Sequence, residues 1–290
     1  MRVGLVQLCS GDDPAANLTA TEALVLEAVA GGADFVLTPE VTNIVSGSRT
    51  HQTAVIVAED ADPTLARLRA LAAESGIWLL IGSLALRTED ADGRFANRSF
   101  LIDPSGAIVA RYDKIHMFDV DLDDDQSYRE SAGYRPGERA TVAPGPADRR
   151  IGMSICYDMR FPGLYRDLAQ AGAEILTVPS AFTVPTGRAH WHVLLRARAI
   201  ETGCFVLAPA QCGDHAVSRG PARRTYGHSL IVSPWGEVLA EAGEEPAVIF
   251  ADLDLDAIQR ARAQVPSLKN ARPYVLEGAA PAPRPTSVTA

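Results

Sequence analysis

Three side chains of different chemistry stand where short apolar runs end. Cys156 closes the run Ile151 to Ile155 and opens the turn-like Tyr157-Asp158-Met159-Arg160-Phe161-Pro162, after which a helix is expected over Gly163 to Ala171. A nucleophile at such a strand-to-helix turn is exposed at the sheet rim, with the next backbone N–H aimed at an incoming carbonyl. A buried, inert thiol is the other reading of the same residue. Glu40 follows Phe35-Val36-Leu37-Thr38-Pro39, and Lys114 follows the strand-like Ala107 to Tyr112. Of 27 basic residues only Lys114 and Lys269 are lysines. Lysine offers a compact ammonium where arginine presents a broad fork that never gives up its proton. A carboxylate can take the thiol proton, and an ammonium can stabilise both thiolate and oxyanion. Glu40 alone would read as a surface carboxylate; a carboxylate, an ammonium and a thiol at three strand ends favour nucleophilic catalysis.

The histidines offer a rival arrangement. His116 is two residues from Lys114 and could share its strand face, so a Cys–His pair stays open. His190 and His192 flank Trp191 near a helix start, and an i, i+2 pair does not share a helix face. There is no His-Glu-x-x-His or Cys-x-x-Cys, so no metal is expected. Gly152-x-Ser154-x-Cys156 lacks the final glycine of a serine elbow, and Ser154 reads as packing. The acidic stretch around Asp119, Asp121, Asp123, Asp124 and Asp125 lacks the glycine and terminal glutamate of an EF-hand loop, so it reads as solvated.

The elements that must position these groups occur twice. A strand from Val3 to Leu8 precedes a helix over Asn17 to Val29; a strand at 35–37, a helix over Asp62 to Glu74 and a strand over Ile77 to Ile81 follow. Asn97 to Asp103 and Ala107 to Tyr112 flank the hairpin turn Pro104-Ser105-Gly106. Then Arg150-Ile151-Gly152-Met153 echoes Arg2-Val3-Gly4-Leu5, and residues 172–179 echo 32–39. Residues 203–207 echo 76–80, and 231–236 echo 101–106. Two βαβαβ-plus-hairpin halves are expected, with continuous apolar strands covered on both faces and a loop-like stretch from Phe118 to Ala147 between them. Residues 1–278 are expected to form a single domain, and 279–290, rich in Ala and Pro, a disordered tail.

The sequence resembles the nitrilase superfamily of carbon–nitrogen hydrolases. The motifs are Thr38-Pro39-Glu40, Tyr112-Asp113-Lys114-Ile115-His116 and Ile155-Cys156-Tyr157-Asp158-Met159-Arg160-Phe161-Pro162. They continue through Pro179-Ser180-Ala181-Phe182, Thr186-Gly187-Arg188-Ala189-His190-Trp191, Tyr226-Gly227-His228-Ser229 and Pro234-Trp235-Gly236-Glu237. The resemblance implies an αββα four-layer sandwich and a Glu–Lys–Cys triad at Glu40, Lys114 and Cys156, with Glu130 as a second glutamate orienting the lysine and substrate. It implies substrate contacts at Tyr157, Arg160, Phe182, Thr183, Arg188 and His190, no cofactor, and a homodimer or higher homo-oligomer.

Cys156-Tyr157-Asp158 looks like the amidase branches, and residues 168–176, 194–202 and 211–213 look most like deaminated-glutathione amidases, with omega-amidases next. Gly163 departs from the glutamate often found after Phe-Pro there. The implied reaction is hydrolysis of a small linear amide through a cysteine thioester, with release of ammonia and a carboxylate. An omega-amidase acting on α-ketoglutaramate is the nearest alternative, and an inactive binding module on the same fold is the alternative of another class.

With 47% apolar and 22% charged residues in a chain of 290, the composition is that of a soluble globular protein able to bury a full core. A net charge of −9 repels phosphate backbones and anionic lipid, so neither nucleic acid nor membrane is an expected partner. The longest apolar stretch, Ile77 to Leu86, is too short for a membrane span and is broken by Gly82 and Ser83. Four cysteines in a chain this long form no disulfide framework, and a reducing cytoplasm is expected.

Overall fold

The computed structural model describes residues 1–123, 126–275 and 277–278. The expected disordered tail, 279–290, and Asp124 and Asp125 of the acidic stretch lie outside the described residues. The first half runs β1 (Arg2–Gln7), α1 (Pro14–Ala30), β2 (Phe35–Leu37), α2 (Arg49–Val55), α3 (Pro63–Ser75), β3 (Trp78–Arg87), β4 (Phe95–Ile102) and β5 (Ile108–Asp113). A connecting stretch holds β6 (Asp119–Asp123), β7 (Gln126–Arg129) and β8 (Thr141–Pro144). The second half runs β9 (Arg150–Met153), α4 (Pro162–Gln170), β10 (Ile175–Thr177), α5 (Val184–Thr202) and β11 (Phe205–Ala208). It continues through β12 (Cys212–His215), β13 (Arg223–Tyr226), β14 (Leu230–Val232), β15 (Val238–Glu241), β16 (Ala247–Asp252) and α6 (Asp256–Gln264).

Two six-stranded sheets result, ordered β16-β1-β2-β3-β4-β5 and β15-β14-β11-β10-β9-β8. In each, three strands are parallel (β1-β2-β3 and β9-β10-β11) and a meander continues antiparallel. The internal echoes therefore correspond to structurally equivalent strands and turns. Each sheet also gains an antiparallel edge strand at the equivalent position, contributed by the chain that follows the other half's hairpin: β16 on β1 and β8 on β9.

The continuous apolar runs are explained by two cores. Val3, Leu5, Phe35, Leu37 and Leu80 face the core between the sheets, together with Ile151, Met153, Ile175 and Phe205 of the second sheet. Their neighbours Val6, Val36, Leu79 and Ile81 face a second core with Val25 of α1 and Leu68 of α3. Helices thus cover the outer face of each sheet, giving four αββα layers.

Local signals set the boundaries. Asp13 Oδ1 accepts from Ala15 N at 2.9 Å, so α1 starts at Pro14, three residues before the expected Asn17. Asp62 caps α3 in the same way through Leu65 N at 2.8 Å. β3 continues past the expected Ile81 because a register shift between Ile81 and Leu84 absorbs Gly82-Ser83 and pairing with β4 resumes. The stretch expected to be loop from Phe118 to Ala147 contains the β6–β7 hairpin, a 3₁₀ turn at Glu130–Ala132 and β8. Acidic residues at alternate positions, Asp119, Asp121 and Asp123, conceal β6.

Candidate active site

Glu40 follows β2, Lys114 follows β5 and Cys156 follows β9, and all three line one cavity of about 930 Å³. Two carry their chain through sterically costly turns: Cys156 at φ 49° and Val41, directly after Glu40, at φ 49°. Val41 N is held there by Ser83 Oγ at 2.8 Å, and Cys156 N by Pro179 O at 2.9 Å.

The Glu40 carboxylate is fixed from every side. Its Oε1 accepts from Lys114 Nζ at 2.8 Å and from Asn97 Nδ2 at 2.9 Å, and its Oε2 accepts from Ala181 N at 2.8 Å. The Cys156 thiol lines the same cavity, close enough for the Glu40 charge to act on it. Lys114 Nζ also donates to both oxygens of Glu130, at 2.9 and 2.8 Å, and Glu130 Oε2 accepts from Phe118 N at 2.6 Å. Lys114 is only 2% exposed.

Burial opposes the charge of Glu40, but the Lys114 ammonium outweighs it and holds the carboxyl below the usual range. Burial likewise disfavours the ammonium, yet Glu130 and Glu40 hold it well above its ordinary value. Burial and then the Glu40 charge push the Cys156 thiol up, and Lys114 only partly offsets them. The resting site is therefore a neutral thiol beside an ionised carboxylate and an ammonium, an arrangement in which a carboxylate could take the thiol proton.

His116 is occupied elsewhere. Its Nδ1 lies 2.7 Å from Asp158 Oδ1, and its ring stacks on Phe161 with centroids 3.5 Å apart. Asp158 is fully buried and also accepts from Tyr112 OH at 2.7 Å, His116 N at 3.0 Å and Ile155 N at 2.8 Å. It thus ties the turn carrying Cys156 to the segment carrying Lys114. Ser154 Oγ sits 2.6 Å from Tyr165 OH in the interior, a packing role.

Of the expected substrate contacts, Tyr157, Phe182 and Thr183 line the cavity, whereas Arg160, Arg188 and His190 lie outside its lining. Arg188 and His190 are exposed on α5. Arg160 donates through Nη2 to His190 Nδ1 at 3.2 Å and rests beside the Tyr157 and Phe182 rings. A Cβ on Gly163 would meet nothing within 4 Å, and Gly163 does not line the cavity. Sequence spacing does not single out Asn97, Asp158 or Arg223. Arg223 of β13 lines the cavity, donates to Ala181 O at 2.9 Å and leaves its buried Nε without a partner. Among the described residues it forms no ion pair with a carboxylate. The available signal for Asn97 is an amide within an apolar strand; Arg223 sits in a hairpin whose approach to the cavity is tertiary.

Comparison with known proteins places these residues in context. The family described as carbon-nitrogen hydrolase matches residues 2–263. A deaminated glutathione amidase of Yersinia enterocolitica is 40% identical over 271 residues, covering 93% of this chain and 92% of that protein. The crystal structure of the C. elegans NitFhit protein superposes with TM-score 0.85 at 34% identity, covering 93% of this chain but 65% of that one. An amidase from Nesterenkonia sp. AN1, solved with acrylamide added at its active site cysteine, superposes with TM-score 0.73 at 29% identity, covering 91% of this chain and 97% of that one.

Proposed function

The chain belongs to the carbon–nitrogen hydrolase family, and we propose from that premise that it hydrolyses deaminated glutathione through a thioester on Cys156. The observation that carries the mechanism is the Glu40 carboxylate held between the Lys114 ammonium and the Cys156 thiol. Glu40 takes the thiol proton as Sγ attacks the amide carbonyl carbon. The oxyanion is held by Lys114 and by the Tyr157 backbone N–H, where one donor is worth about 10²–10³ in rate. Collapse breaks the C–N bond, and the departing nitrogen recovers the proton from Glu40. Water then attacks the thioester with Glu40 as base; the thiolate leaves, regains the proton, and a carboxylic acid is freed. Glu130 holds Lys114 in place.

Ammonia is the leaving group only for a primary amide. Deaminated glutathione is a secondary amide, so its cleavage frees cysteinylglycine. Its carboxylates suit Arg223, whose guanidinium lines the cavity without a carboxylate partner among the described residues. The cavity volume is that of a site able to enclose such a molecule. Four free thiols support a cytoplasmic setting, and among the described residues no helix is long and apolar enough to cross a membrane. Val193, Ile200 and Trp235, exposed by 68%, 52% and 53%, support a homodimer.

The test is turnover of deaminated glutathione (amine release), α-ketoglutaramate, simple amides, N-carbamoyl amino acids and a nitrile, with Cys156→Ala beside the native protein. The highest kcat/KM is expected for deaminated glutathione, with Arg223→Ala raising KM about tenfold or more, since a charged hydrogen bond is worth about 1.5–3 kcal/mol. Preference for α-ketoglutaramate would transfer the protein to the omega-amidase reading. Inactivity across the panel would favour a binding module.

A further inference from the structure

Outside the amide site, three elements bring two imidazoles and a carboxylate together. His192 lies on α5, His228 in the turn before β14, and Glu241 is the last residue of β15. His192 Nε2 lies 2.9 Å and His228 Nδ1 2.8 Å from the same Glu241 oxygen, Oε1. One donor atom from each residue falls within 4.8 Å of the others. None of the three lines the cavity that holds Cys156.

We propose that His192, His228 and Glu241 bind one divalent transition-metal ion, for which Zn²⁺ is the best match. Two neutral imidazoles and one carboxylate suit zinc and its borderline neighbours, whereas calcium and magnesium require oxygen ligands. At zinc bond lengths of about 2.0–2.2 Å, tetrahedral ligand atoms stand about 3.3 Å apart. The two shared contacts would open by a few tenths of an ångström to admit the ion between them. Side-chain exposures of 33%, 22% and 36% leave room for water in the remaining position.

The site is preorganised around His228. That residue is held at φ 56°, a left-handed conformation uncommon for a side-chain-bearing residue. Its N–H donates to Gly243 O at 3.0 Å, and its carbonyl accepts from Trp191 Nε1 at 2.7 Å. Its ring stacks on Tyr226 with centroids 4.3 Å apart. Backbone and ring are thus fixed by groups that are not themselves ligands, as orientation of a metal-binding histidine requires. A bound ion would join α5, whose first turn lines the amide cavity, to the β14–β15 hairpin. Sequence spacing hides the set, because the histidines stand 36 positions apart and the ligands share no local motif.

The experiment is titration of the chelator-treated full chain with Zn²⁺ by calorimetry, alongside His192→Ala, Glu241→Gln and Cys156→Ala, with Co²⁺ absorption as a second probe. One Zn²⁺ per chain is expected. Loss of groups that merely orient ligands weakens metal affinity about 10–100-fold, so His192→Ala and Glu241→Gln should each weaken binding by about 100-fold or more. Cys156→Ala should bind as the native chain does. Zn²⁺ should raise Tm in the native chain and not in the two ligand variants, while circular dichroism and amide hydrolysis show those variants folded. The Co²⁺ spectrum should lack thiolate charge transfer. Absence of binding by the native chain would overturn the proposal, as would affinity that survives both ligand substitutions or disappears in Cys156→Ala.

Discussion

At a single residue, Cys156, the proposed chemistry depends on which group takes the thiol proton. Glu40 is held below the ordinary carboxylate value of 4.5 by Lys114, while burial and Glu40 push Cys156 above the ordinary thiol value of 9.0. A base with a depressed pKa is ionised above that pKa and loses its charge only as pH falls through it. Its stabilising pairing with Lys114 follows the same sign, complete above 4.5 and lost on acidification. The profile of kcat/KM against pH is therefore expected to be flat across pH 6–8, with its acid limb below 4.5. Glu40→Gln should lower kcat by about 10²–10⁴, whereas His116→Gln should affect stability more than chemistry, because His116 is engaged by Asp158 and Phe161. Activity lost in His116→Gln but kept in Glu40→Gln would reverse the assignment.

At the element scale, the site depends on how a turn is joined to a neighbouring strand. Asp158 accepts from four donors, one beside the Cys156 turn (Ile155 N) and three on or just after β5 (Tyr112 OH, His116 N and His116 Nδ1). Asp158→Ala would orphan buried donors at about 1–3 kcal/mol each. Urea denaturation is expected to show at least about 3 kcal/mol of lost stability, with a smaller loss for Asp158→Asn; an unchanged midpoint would contradict this role. Much of the fold was legible in apolar runs such as Phe35-Val36-Leu37 and in the Asp-Pro starts of α1 and α3, where local chemistry dictates local structure. The edge strands β8 and β16 were not: they occupy equivalent positions in the two sheets, but no sequence echo marks them and each is defined by the strand it pairs with. Glu40, Lys114 and Cys156 were legible because their residue types stand out at strand ends. Asn97 and Arg223 were not, because their relation to the cavity arises only when distant segments fold together.

At the scale of the whole molecule, the repeat explains why the cavity lies where it does. Glu40 and Lys114 come from the first half and Cys156 from the second, so stacking of the two sheets brings the thiol into one cavity with the carboxylate and the ammonium. Gly82 marks how closely the halves approach: a Cβ there would stand 1.9 Å from Thr38 O and 2.5 Å from Pro179 Cβ, next to the Glu40 segment. Gly82→Ala is expected to reduce stability by about 1–3 kcal/mol or more and to lower activity with it; native stability and full activity would show that the halves have room to spare. For the proposed homodimer, light scattering of the native chain should give twice the chain mass, and Val193→Glu with Ile200→Glu should give the monomer. A monomeric native chain would contradict that assembly.

The central claim is a covalent acyl group on Cys156. Rapid acid quench of the protein turning over deaminated glutathione, followed by peptide mass spectrometry, tests it most directly. A ketoglutaryl thioester is expected on the Cys156 peptide during turnover, formed as cysteinylglycine is released and absent from Cys156→Ala, which should also be inactive. Sustained hydrolysis by Cys156→Ala, or turnover with the acyl group on another residue, would contradict it.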